Sequence, residues 1–248
     1  MTAARLAELI RTHQPCVALT GAGISTESGI PDFRSAGGIW AQYDPLEVAS
    51  IDGFRRDPVR VWEFYARRLA VLADAAPNAG HLALAELERR ELVRAVVTQN
   101  VDGLHQRAGS REVIEVHGSI RGAICLRCGA PTEFERVLEL LPLPVCACGE
   151  ILKPGVVMFG ELLPVAALEW ATELCRAARL LLVVGSSLEV HPVAGLPRVT
   201  VAAGGTLAIV NRGPTALDAE AELVLDGGAG EILRAAVQAL GAAPRARG

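Results

Sequence analysis

Short apolar runs recur along the chain with helical spacing between them, and this alternation constrains the fold more than any other feature. Cys16–Thr20, 92–98, 113–116, Leu180–Val184, 206–210 and 222–225 read as buried strands. Ala3–Thr12 places Leu6, Leu9 and Ile10 on one helical face, with Thr2 as a candidate N-cap. Segments 57–74 and 78–90 read as helices separated by Pro77, 164–178 as a helix opening on proline, and 230–240 as a closing helix. Strands that alternate with helices bury both faces of a parallel sheet.

The expected fold is therefore α/β: a Rossmann-like, doubly wound parallel sheet. One stretch breaks the rhythm. Residues 119–153 hold four clustered cysteines and several prolines, and read as a small inserted zinc-binding module. The larger domain then spans 1–118 and 154–241, and 242–248 forms a frayed tail. Aromatic residues make up only 4% of the chain, so Ala, Val and Leu must fill the core. No run is long enough to cross a bilayer. Arg5, Glu8 and Arg11 interrupt any apolar signal core, so secretion is not expected. A net charge of −4 without a dense basic run disfavours a nucleic-acid surface.

Gly21-Ala22-Gly23-Ile24-Ser25 follows the first strand directly. Glycines there let the backbone turn sharply and approach a pyrophosphate, whose charge is met by free N–H groups. Taken alone, this is equally an ordinary strand-to-helix turn. The longer string GAGISTESGIPDFR, residues 21–34, resembles the first signature of the sirtuins, the NAD-dependent protein lysine deacylases. TQNVDGLH at 98–105 resembles the second signature, and His117-Gly118 the catalytic His-Gly pair. KPGVVMFGE at 153–161 resembles the substrate strand, and Gly185-Ser186-Ser187 and Asn211-Arg212 the later NAD contacts. These matches run in family order from Gly21 to Ala229.

The resemblance implies NAD as co-substrate and acyl-lysine segments of other proteins as partners, with no nucleic acid and no membrane. Nothing in the sequence reads out the oligomeric state. His117 is the candidate general base, a task that suits a group titrating near neutrality. Standing alone, a histidine at a strand end is as readily a core residue. By resemblance, Asn100 positions ribose and a water, Asp102 shapes the nicotinamide pocket, and Gln99 contacts ribose. Asp102 also stands where it could cap the next helix. By the same resemblance, Gly21, Ala22, Gly23, Ser25, Asp32, Phe33 and Arg34 belong to the cofactor loop, with Phe33 shielding the reactive sugar carbon. Gly185, Ser186, Ser187, Asn211, Arg212 and Ala229 complete the cofactor set. By resemblance, Val156, Val157, Met158 and Phe159 are the segment to which an extended peptide adds as a strand; a plain core strand is the other reading.

Cys125 and Cys128 are separated by two residues. Cys146 follows after seventeen more and Cys148 after one. Two chelating thiolate pairs make a closed tetrahedral zinc site, structural and not catalytic. The second pair departs from the family pattern, which has two intervening residues there. Clustered pairs in a chain without a signal point to a reducing compartment, the cytoplasm. Tyr65 and Arg68 stand three apart, on one helical face. They resemble the Tyr-x-x-Arg pair of class III sirtuins, which binds the carboxylate of succinyl- or malonyl-lysine; a surface Arg beside a half-buried Tyr is the plain alternative. The implied function is removal of acetyl, succinyl or malonyl groups from lysine. The alternatives are mono-ADP-ribosyl transfer and an NAD-sensing binding module.

Overall fold

The computed structural model describes residues 2–241. The tail expected at 242–248 lies outside them. In chain order the strands are β1 Cys16–Thr20, β2 Ala95–Thr98, β3 Val113–Glu115, β4 Gly118–Cys125, β5 Pro131–Glu133, β6 Leu152–Val156, β7 Leu180–Val184, β8 Thr206–Asn211 and β9 Leu223–Asp226. The helices are α1 Ala3–Thr12, α2 Pro45–Val48, α3 Ile51–Arg56, α4 Pro58–Asp74, α5 Ala79–Arg89, α6 Leu104–Ala108, α7 Phe134–Glu139, α8 Val165–Ala177, α9 Leu196–Ala202 and α10 Ala229–Ala239.

Six strands form one sheet in the order β3-β2-β1-β7-β8-β9, and every pairing in it is parallel. The chain runs outward from β1 to one edge, returns, and runs outward again from β7. The strand order therefore switches between β1 and β7, the place where open α/β sheets bind ligands. Both central strands are buried at every position, which is why they read as continuous apolar runs. One hydrophobic cluster packs α1, α5 and α10 on one face, and a second packs α8 and α9 on the other.

A second, antiparallel sheet in the order β5-β4-β6 carries the cysteines. The sequence division placed 1–118 wholly with the larger sheet, but packing cuts across that line. Ile39, Trp62, Phe64 and Tyr65 share a cluster with Ile120, Val137, Leu152 and Met158, so helices α2 to α4 cover the small sheet. Trp62 ties them together through its indole N–H, which donates to the Leu152 carbonyl at 2.7 Å. The physical reason is that a module as short as residues 119–153 buries too little apolar area to close a core of its own. Thr2 does occupy the N-cap of α1, without a side-chain capping bond.

Candidate active site

The sequence-predicted cofactor residues all follow the carboxyl ends of strands in the parallel sheet. Gly21 to Ser25 follow β1, Gln99 to Asp102 follow β2, His117 follows β3, Gly185 to Ser187 follow β7, Arg212 follows Asn211 at the end of β8, and Ala229 lies beyond β9. At the switch point two loops touch. The Gly23 N–H donates to the Gly185 carbonyl at 2.9 Å, and the Gly21 N–H to the Val184 carbonyl at 3.1 Å. Gly185 has a φ of +62, and a Cβ there would stand 2.2 Å from the Ile24 nitrogen. The glycines thus serve a close contact between the two loops.

Next to this contact lies a connected set of hydrogen bonds. The Ser25 hydroxyl donates to Asp102 Oδ2 at 2.7 Å. Asn100 Nδ2 donates to the Ser25 oxygen and to the Gly21 carbonyl, both at 3.1 Å. The other Asp102 oxygen accepts from the Leu104 N–H at 2.9 Å, so Asp102 does support the first turn of α6. Gln99 reaches across to Ser186, Nε2 to Oγ, at 2.9 Å. The loops after β1, β2 and β7 are therefore bound into one unit.

His117 Nδ1 lies 3.0 Å from the Gln99 carbonyl. A carbonyl only accepts, so Nδ1 carries the proton and Nε2 keeps its lone pair. Burial lowers the His117 pKa, partly offset by that backbone bond, so the ring stays neutral at neutral pH.

Two further histidines had no role assigned from sequence, although His105 closes the TQNVDGLH string. His81 and His105 are fully buried and stack edge to face, 4.9 Å apart. Burial lowers His81 to about 4 and His105 to about 3. His81 takes the Asn78 N–H on Nδ1 and turns Nε2 toward Ser25 at 3.4 Å. His105 Nε2 meets Thr20 Oγ at 2.9 Å, and Thr20 donates to Thr98, which accepts the Asn100 N–H. The sequence signal for both was a polar ring in an otherwise buried helical position.

Tyr65 and Arg68 lie on α4, behind the loop that carries Phe33. Burial drives the Tyr65 hydroxyl up to about 12 and lowers the Arg68 pKa. The Arg68 guanidinium sits 5.0 Å from the Phe33 ring centroid and 5.7 Å from that of Phe64. Among the described residues no carboxylate forms an ion pair with it. A pocket of about 150 Å³ opens beside it, walled by Ile30, Ile39, Tyr43, Phe64 and Leu72. Arg34 instead pairs with Glu189 at 3.5 Å, and Asp32 caps its own loop by accepting the Ser35 N–H.

The four cysteine sulfurs lie within 4.8 Å of one another, with Cys125 to Cys148 at 3.5 Å and Cys128 to Cys146 at 3.7 Å. A tetrahedral zinc with bonds near 2.3 Å separates its sulfurs by roughly 3.8 Å, so this donor set fits a structural zinc ion. The shortened C-x-C arm still closes a turn. The Gly149 N–H donates to the Cys146 carbonyl and the Cys146 N–H to the Glu150 carbonyl, at 2.9 and 2.8 Å.

Residues 21–192 match the family model of the Sir2 family. The chain belongs to the Sir2 family. An NAD-dependent protein deacylase of Pyrobaculum aerophilum is 48% identical over 229 residues, covering 92% of each chain. An NAD-dependent protein deacetylase of Sulfurisphaera tokodaii is 47% identical over 226 residues, covering 89% of each. A Sir2 structure with a deacetylated p53 peptide and 3′-O-acetyl ADP-ribose superimposes on this Sir2 chain with a TM-score of 0.91 at 40% identity, covering 96% of this chain and 98% of the other. A Sir2 structure bound to a propionylated peptide gives a TM-score of 0.87 at 41% identity, covering 94% and 96%.

Proposed function

We propose that this Sir2 chain is an NAD-dependent protein lysine deacylase that yields nicotinamide, O-acyl-ADP-ribose and free lysine. The observation that carries the reading is the neutral, oriented His117. Its Nε2 lone pair is free to take a proton, and its carbonyl accepts the N–H of Val157 at 2.8 Å, next to the segment assigned to the peptide. His117 acts as general base on a ribose hydroxyl. Asn100 and Asp102 hold the nicotinamide end, with Ser25 between them. Gly21, Ala22, Gly23, Gln99, Gly185, Ser186 and Ser187 line the pyrophosphate and ribose positions. Asp32, Phe33 and Arg34 cover the reacting sugar, and Asn211, Arg212 and Ala229 border the adenosine end. The cysteine module, residues 119–153, holds one zinc ion that shapes the fold.

The acyl group is acidic in this reading: succinyl or malonyl is removed in preference to acetyl. The support is Arg68, a half-buried guanidinium without a carboxylate partner among the described residues, on the same helical face as the Tyr65 hydroxyl. A carboxylate entering there would take up charge-assisted bonds that no carboxylate among the described residues makes. The thiol cluster, which needs reduced cysteines, supports work in the cytoplasm.

One experiment tests both levels. Peptides carrying acetyl-, succinyl- or malonyl-lysine are turned over with NAD by wild type and by Arg68→Met. Succinyl or malonyl turnover that leads in wild type and collapses in the variant supports the carboxylate clamp. Acetyl turnover that leads and survives Arg68→Met leaves a deacetylase and removes the clamp. ADP-ribose found covalently on protein would replace deacylation with ADP-ribosyl transfer.

A further inference from the structure

The segment after β6 is fixed from below by one buried cation. Lys153 is only 4% exposed, and its ammonium donates to the Pro154 carbonyl at 3.0 Å, the Val156 carbonyl at 2.7 Å and Glu161 Oε2 at 2.9 Å. Three donors meet three acceptors. The same Glu161 oxygen accepts the Met158 N–H at 2.9 Å. The rest of the segment is equally tied. The Val157 N–H donates to the His117 carbonyl, the Phe159 N–H to Ala49, the Ile51 N–H to Phe159, and the Glu161 N–H to Met158, all at 2.8 to 3.0 Å. Within 157–159 one backbone group is left over. Among the described residues the Val157 carbonyl accepts no hydrogen bond. Successive carbonyls of an extended strand point to opposite sides. Lys153 draws Val156 one way, so Val157 faces the other.

Stability alone gives no reason for this arrangement. Burying an ammonium carries a large desolvation cost, and an apolar residue of similar volume often serves a core as well or better. What the ion pair does provide is a fixed backbone path beside His117.

We infer that Lys153 is a positioning residue for the acyl-lysine strand: held by Glu161, it turns the Val156 carbonyl inward and leaves the Val157 carbonyl as the acceptor offered to the incoming chain. The inference rests on reading 156–159 as the peptide-binding segment. Lys153 itself touches neither substrate nor cofactor.

The test compares wild type, Lys153→Met, Lys153→Arg and Glu161→Gln in steady-state turnover of an acyl-lysine peptide with NAD. Lys153→Met keeps the aliphatic stem and removes the charge. It should raise the peptide KM roughly tenfold or more while the NAD KM and kcat stay within about threefold, since a small misplacement of a positioning element is costly. Lys153→Arg should restore most of the peptide KM. If Lys153→Met does not fold, Glu161→Gln carries the test and must show the same rise for peptide alone. An unchanged peptide KM in the folded variants, or equal losses for peptide and NAD, overturns the inference. A wild-type reaction with a photoreactive residue beside the acyl-lysine separates the two levels. Cross-links within 156–161 with an unchanged KM in Lys153→Met remove the clamp only. Cross-links elsewhere remove the strand reading, and the clamp with it.

Discussion

His117 Nδ1 donates to the Gln99 carbonyl across 3.0 Å, and that single bond fixes which nitrogen of the ring is available as a base. General base catalysis contributes roughly 10²–10⁴-fold. His117→Ala should lower kcat/KM by about that factor while calorimetric NAD affinity changes little. Burial holds the folded His117 pKa below its ordinary 6.5, so the acid limb of the kcat/KM profile should lie below pH 6.5. Turnover near the wild-type level in His117→Ala would remove the base assignment.

The contact between Gly185 and the loop after β1 admits no side chain. A Cβ at position 185 would stand 2.2 Å from the Ile24 nitrogen and 2.6 Å from the Gly23 carbonyl carbon, on a backbone with φ of +62. Steric overlap with backbone has no cheap relief, and left-handed φ adds strain. Gly185→Ala should therefore lose more than about 3 kcal/mol of stability in urea titration, or fail to fold. A variant with the wild-type midpoint would show that the two loops are not packed this way.

Much of this architecture was legible in the sequence, because both central strands are buried on two faces and so read as unbroken apolar runs. The β4 strand was not legible. Its residues alternate between the small sheet's core and solvent, around a register shift between Gly118 and Ala123, so no clean period survives. Helices α2 and α3 were missed because each spans less than two turns, too short for a helical period to show. At the site, the motif strings marked Asn100, Asp102 and His117. They did not mark what joins them, since a Ser25 to Asp102 bond spans 77 positions and depends on how the loops after β1 and β2 converge. The same holds for Lys153, whose role emerges only when the backbone acceptors around it are counted.

The His81 and His105 pair predicts acid sensitivity. Burial holds His81 near 4 and His105 near 3, both below their ordinary 6.5. Below pH 6.5 the unfolded chain binds protons at these rings that the native chain refuses, so native stability falls as pH drops from 6.5 toward 4. Above 6.5 both states carry neutral rings and the contribution is complete. The loss should reach a few kcal/mol by pH 4. Comparing urea midpoints at pH 7 and pH 4.5, His105→Gln should show a shallower decline than wild type. Parallel declines would mean that the buried rings do not drive the effect.

The cysteine cluster is joined by packing to the helix that carries Tyr65 and Arg68, and this gives zinc a reach beyond its module. Cys125, Val137 and Leu152 share a hydrophobic cluster with Trp62, Phe64 and Tyr65, and Trp62 bonds the Leu152 carbonyl. Metal binding in such a site is coupled to folding. Without the ion, four sulfurs within 4.8 Å have no common partner, and the two arms that carry them lose their tether. Cys146→Ala should bind less than stoichiometric zinc by elemental analysis, melt at a lower temperature and lose turnover of every acyl peptide. Brief treatment of wild type with a strong chelator should do the same, and zinc added back before aggregation should restore activity. Because α4 leans on the module, partial zinc loss should weaken turnover of acyl peptides before NAD binding, which the parallel sheet and its own loops support. A zinc-free protein with unchanged melting and full activity would show that packing alone holds the module, and that the cysteines serve another purpose.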